Sequence, residues 1–167
     1  MSLNYDFVVK DWRWDAEELS EIGARVAVVL SDHLTFPDMA SAVVMACDDT
    51  TVSNLNQNFR GKLQPTNVLS WPSVELAAKT PGERPVLAVD TELGDVAMAF
   101  ETCIDEAYAA NLAFVDHITH LLIHATLHLL GYDHIEDTDA ELMEQIEIDV
   151  LAKLSISNPY RVNNGTK

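Results

Sequence analysis

Apolar residues recur at helical spacing at Leu19, Ile22, Val26, Val29 and Leu30. They follow Asp15-Ala-Glu-Glu, a cap residue with acids in the first turn, which predicts a helix from Asp15 to about residue 33. Ahead of it, the β-branched and aromatic stretch at residues 5–11 predicts an opening strand. Beyond the Phe36-Pro37 break, Ala42-Val-Val-Met-Ala-Cys47 is short, apolar and β-rich, and reads as a buried strand. Asp48-Asp49-Thr50 then caps a helix over about 50–59 that presents Val52, Leu55 and Phe59 on one face and ends by Gly61. Asn67 to Trp71 predicts a short strand stopped by Pro72, and residues 73–85, with Pro81-Gly82 and Pro85, a loop. Val86-Leu-Ala-Val89 and Leu93 to Phe100 read as two strands of a hairpin joined through Asp90-Thr91-Glu92. From Glu101 onward the periodicity is helical, over about 101–112, 115–130 and 138–154.

Strands in front and helices behind predict an α+β fold, a single small mixed β-sheet covered by helices. The length of 167 residues suits one core, so we expect one domain over residues 1–160 and a disordered tail at 161–167. No apolar run reaches the roughly 18 residues of a membrane span, and the first residues carry no export signal. Cys47 and Cys103 lie far apart without metal or redox spacing, which predicts two reduced thiols in a cytoplasmic protein. Ten Lys and Arg against 27 Asp and Glu leave a net charge of −17, and an average surface that repels nucleic acid and anionic membranes. The segment from Asp133 to Asp149 carries eight acids and no Lys or Arg.

Five of the six histidines fall between His117 and His134. At about 100° per residue, His117, His120, His124 and His128 form one stripe on an otherwise apolar helix. Imidazoles on such a helix need partners for both ring nitrogens. His124 and His128, four apart, reach one ion from adjacent turns; Gly131 can then end the helix in a left-handed conformation and return His134 to the same point. The expected metal site is therefore His124, His128 and His134, on a helix of the C-terminal half and the turn after it, holding one zinc with a fourth position open. The same spacing occurs in zinc peptidases whose general base follows the first His; here that position is Ala125, which speaks against proteolysis. Asp133 suits either orienting an imidazole or shaping the turn. His117 and His120 read first as satisfied core residues, and Glu144 and Glu147 as solvated faces of the last helix.

The string His124-Ala-Thr-Leu-His128-Leu-Leu-Gly131-Tyr132-Asp133-His134 resembles the His-Gly-x-Leu-His-Leu-x-Gly-Tyr-Asp-His signature of the YbeY family of metal-dependent endoribonucleases. Leu55 to Lys62, followed by Pro65 to Pro72, is similar to a second block of that family, and Leu93-Gly94-Asp95-Val96 to a third. Ala125, Asn67 and Trp71 stand where Gly, Asp and Phe are common, and the three histidines are untouched. The resemblance implies hydrolysis of single-stranded RNA, maturation of small-subunit ribosomal RNA, ribosome quality control, and association with the ribosome or its proteins. It also implies that Arg60, paired with Lys62, is the catalytic phosphate clamp; otherwise Arg60 reads as a helix C-terminal residue complementing the dipole. Thr66, Ser70 and Trp71 suit nucleotide contacts or strand packing equally. Two other readings stay open at this point: a metal-dependent hydrolase of another substrate, and a non-enzymatic ribosome-associated module whose metal is structural.

Overall fold

The computed structural model describes residues 3–60 and 66–160. The expected helix stop at Gly61 and the expected tail at 161–167 lie outside the described residues. In chain order the elements are β1 (Leu3–Val9), α1 (Ala16–His33), β2 (Ala40–Cys47), α2 (Asp49–Arg60), β3 (Val68–Pro72), β4 (Glu92–Ala99), α3 (Phe100–Ala109), α4 (Phe114–Leu129) and α5 (Asp137–Lys153). The fold is α+β, as the pattern predicts, with one four-stranded mixed sheet in the order β1-β2-β4-β3. β1 and β4 both run parallel to β2, while β3 runs antiparallel to β4 at the edge. No described helix is long and apolar enough to cross a membrane.

Local chemistry accounts for the element boundaries. Asp15 Oδ1 accepts the backbone N–H groups of Glu17 and Glu18 and starts α1, and Asp48 Oδ1 accepts the N–H of Thr51 at 2.8 Å at the start of α2. β2 alternates, with Ala40, Ala42, Val44 and Ala46 fully buried in the main core beneath α1, α4 and α5. A second, smaller cluster of Cys47, Val52, Leu69, Ala97 and Ala99 lies on the α2 side. β4 contributes to both clusters, as a central strand must. Trp14, Phe100 and Phe114 pack their rings within 5.3–5.7 Å of one another, and Trp14 Nε1–H donates to the carbonyl of Cys47. This aromatic knot pins the starts of α3 and α4 to the segment before α1. Both cysteines are buried free thiols.

One expected strand is absent. Val86 to Val89 forms no strand, and Val86, Leu87 and Val89 are exposed. Both edges of β4 are taken, by β2 and β3, so the antiparallel partner predicted from Val86–Val89 is supplied by β3. Residues 73–91 instead form a long connection over the end of α4. Val86 N–H donates to Leu76 O, Gly82 N–H donates to Asp139 Oδ1, and an Arg84 guanidinium N–H reaches the Tyr132 hydroxyl at 3.4 Å. Its apolar run is β-like in composition but finds no free edge to join.

Candidate metal centre

α4 is buried along most of its length, through Ile118, Leu121, Leu122, Ile123, Leu127 and Leu129 among others. Of its histidine stripe, His124 and His128, in the last two turns, line one cleft, while His117 and His120 line a separate one. Beyond the helix, Gly131 adopts φ +100, where a Cβ would meet the backbone carbonyl carbon of Leu76 at 2.6 Å. Only glycine fits there, and the reversal it permits brings His134 back as the spacing predicts. The ring centroid of His134 lies 5.4 Å from that of His124 and 5.0 Å from that of His128. One ring nitrogen from each of the three lies within 4.8 Å of the others, a group able to hold a metal ion.

The tautomers strengthen this reading. His124 Nδ1 is 2.8 Å from Glu147 Oε2, and His128 Nδ1 is 3.0 Å from the carbonyl oxygen of Tyr132. A carboxylate and a carbonyl only accept, so both Nδ1 atoms are donors. In the neutral rings both Nε2 atoms therefore carry lone pairs, and they face each other at 3.2 Å. Two acceptors at that distance need a proton or a metal ion between them, and the third imidazole, His134, completes a set of donors suited to a metal. Two nitrogens each about 2.1 Å from one tetrahedral ion would stand about 3.4 Å apart, close to what is found. Burial first, and then the neighbouring His124 and His134 imidazoles, push the His128 pKa down to about 4, so the ring is neutral at neutral pH, as a ligand must be.

Glu147 departs from expectation. Read as a solvated face, it is completely buried on α5. Its Oε1 accepts from His120 Nε2 at 2.6 Å and from the Tyr160 hydroxyl at 2.5 Å, and its Oε2 accepts from His124. Burial alone would raise its pKa; hydrogen bonds from His120 and His124 outweigh that and hold it at about 2. His120, His124 and Glu147 also form a second group with metal-ligand atom types. Their contacts of 2.6 and 2.8 Å are hydrogen-bond distances, shorter than the separation of two ligands on one ion, so protons account for them. The signal for Glu147 was in the sequence: Met143, Ile146, Glu147, Val150 and Leu151 form the buried stripe of α5, and a carboxylate in that stripe calls for buried donors.

His117 and His120, read as satisfied core residues, are instead half-buried at the wall of a cavity, and both have carboxylate partners, although the buried Nδ1 of His117 has no hydrogen-bond partner among the described residues. His117 Nε2–H donates to Glu106 Oε1 at 2.9 Å, and the Asn67 amide donates to the same oxygen at 3.0 Å. Asp133 takes the turn role, its Oδ1 accepting the N–H of His134. The cleft beside the three histidines has a volume of about 610 Å³. Thr66, Val68, Ser70 and Pro72, alternate residues along β3 and its approach, line its opposite wall together with Asn67. Trp71 is not part of that wall and packs instead with the cluster on the α2 side. Arg60 ends α2, but its side chain, like Lys62, lies outside the described residues. Among the described residues, no fourth His, Cys, Asp or Glu joins His124, His128 and His134.

Comparison with known proteins adds to this geometry. The family model described as Endoribonuclease YbeY matches residues 5–155. An Endoribonuclease YbeY of Paracoccus denitrificans is 49% identical over 155 residues, covering 93% of this chain and 88% of the relative. One of Ruegeria sp. is 44% identical over 166 residues, covering 96% and 98%. Among solved structures, the solution structure of TM1509 from Thermotoga maritima matches with a TM-score of 0.57 at 21% identity, over 98% of this chain and 99% of that one, a likeness of fold.

Proposed function

The chain belongs to the Endoribonuclease YbeY family, and from that premise we propose that it is a zinc-dependent endoribonuclease. Its substrate in this reading is single-stranded precursor ribosomal RNA, and its work is small-subunit maturation and quality control in contact with the ribosome. A cytoplasmic location goes with that reading. The observation that carries the metal is the gathering of three imidazoles, with the Nε2 atoms of His124 and His128 3.2 Å apart and a ring nitrogen of His134 within 4.8 Å of them.

His124, His128 and His134 would hold one ion through neutral imidazoles, with the remaining position open to the cleft. When bound, zinc supplies Lewis acidity toward a phosphoryl oxygen and lowers the pKa of water to about 7. The chain's own residues do the rest. Glu147 and the Tyr132 carbonyl keep the Nδ1 protons of His124 and His128 in place. Thr66, Asn67 and Ser70 offer hydroxyl and amide groups to a strand lying in the cleft. Glu106, between Asn67 and His117, fixes the orientation of the Asn67 amide. Arg60 is assigned the phosphate contact on the sequence resemblance.

A structural metal is disfavoured because such a site is normally closed by four protein ligands, and three gather here among the described residues. The test is elemental analysis of wild type and of His124→Ala/His128→Ala purified identically without chelator, followed by cleavage assays on single-stranded RNA and on generic peptides. About one zinc per wild-type chain, none in the variant, and RNA cleavage only by the loaded wild type are expected. A folded wild type that takes up no metal overturns the reading; peptide cleavage without RNA cleavage transfers it to another hydrolase.

A further inference from the structure

His124 is held from behind by a residue far away in the chain. Glu147 reaches it from α5, and both carboxylate oxygens are committed: Oε2 to His124, Oε1 to His120 and Tyr160. A carboxylate with no exposed surface is unfavourable unless its lone pairs are met, and three donors meet this one. Its neighbours on the same face of α5, Met143, Ile146, Val150 and Leu151, are all apolar. An apolar side chain of similar volume would suit that face at least as well. The carboxylate is therefore explained by what it does to its donors.

What it does differs between the two imidazoles. A free neutral imidazole exchanges its proton between both nitrogens. On His124 the acceptor selects Nδ1–H and leaves the lone pair on Nε2, the nitrogen that faces His128. On His120 it takes the Nε2 proton, so that ring presents no lone pair toward the same group. Tyr160 lies beyond the end of α5, and its ring stands edge-on to His120 at 5.7 Å. Its hydroxyl donates to the oxygen of Glu147 that His120 also uses.

We propose that Glu147 is the positioning residue that keeps His124 in its metal-binding tautomer, and that Tyr160 is its clasp, coupling the segment after α5 to metal affinity. The proposal rests on the metal reading above. Its test is the zinc dissociation constant, measured by competition with a chromophoric chelator on wild type, Glu147→Gln and Tyr160→Phe. Ring-nitrogen NMR of the metal-free proteins accompanies it. Glu147→Gln should bind zinc about 10- to 100-fold more weakly, with both His124 tautomers populated, and should regain cleavage in excess zinc. Tyr160→Phe should lose about fivefold in affinity, the worth of one hydrogen bond.

Wild-type affinity in a folded Glu147→Gln overturns the positioning role while leaving the metal reading intact. Unchanged affinity in Tyr160→Phe overturns the clasp. Should Glu147→Gln fail to fold, the NMR spectrum of the metal-free wild type decides: a proton on Nε2 of His124 sinks the proposal, and one on Nδ1 supports it. A wild type that binds no zinc removes the metal reading and this proposal together.

Discussion

His128 makes the stability of the fold depend on pH. Its pKa drops from 6.5 to about 4 on folding, through burial first and then the neighbouring rings of His124 and His134. Between those values the unfolded chain holds a proton that the folded chain lacks, so stability present above pH 6.5 is lost as pH falls toward 4. Glu147 shifts from 4.5 to about 2, so the stability it contributes is present above 4.5 and lost as pH falls through 2. The denaturation midpoint of the metal-free protein should decline through both windows, and His128→Gln should flatten the upper window alone. Gly131 sets a different constraint. Gly131→Ala should lose more than about 1 kcal/mol in thermal unfolding, since φ +100 and the carbonyl carbon of Leu76 at 2.6 Å both oppose a Cβ. Its zinc affinity should fall with it, because the displaced turn carries His134.

At the level of elements, α4 is tied to the sheet by polar as well as apolar contacts. The Tyr5 hydroxyl on β1 donates to Thr126 Oγ1 at 2.6 Å, and that hydroxyl in turn donates to Leu122 O at 2.7 Å. Tyr5→Phe should lower the unfolding free energy by about 1 kcal/mol and leave zinc binding unchanged, which calorimetry and metal titration would check. Much of this architecture was legible in the sequence. The Asp15 cap, the α4 stripe and the Gly131 reversal are local signals, carried by residues within one turn of where they act. What was not legible depends on partners distant in the chain. Val86 to Val89 has strand composition, but whether an edge of β4 is free is decided by β2 and β3. Glu147 looked like one more acid in an acidic segment, because its donors lie on α4 and beyond α5. Charge composition argued for solvent; position in the apolar stripe argued for burial, and position won.

Over the whole molecule, a net charge of −17 opposes RNA, so attraction must be local. Cleavage by the loaded enzyme should fall steeply with added salt, and Arg60→Ala should reduce the slope of log affinity against log salt by about one phosphate's worth; wild-type cleavage and slope in that variant would remove Arg60 from the role. His124 and His128 stand in the last two turns of α4, at the carbonyl end of the helix. A helix carries roughly half a negative charge at its carbonyl end, which favours a cation and disfavours a phosphate. Without the proposed ion, helix polarity and the protein's overall field would both push RNA away; with it, the sign at that end would reverse. Assembly should then be ordered, ion first and nucleic acid second, with the chelated protein blind to RNA rather than a silent RNA binder. Equilibrium binding of one single-stranded RNA to zinc-loaded and chelated protein reads this directly. Binding confined to the loaded form is the expected result, and equal binding by both would mean that the strand is gripped away from α4.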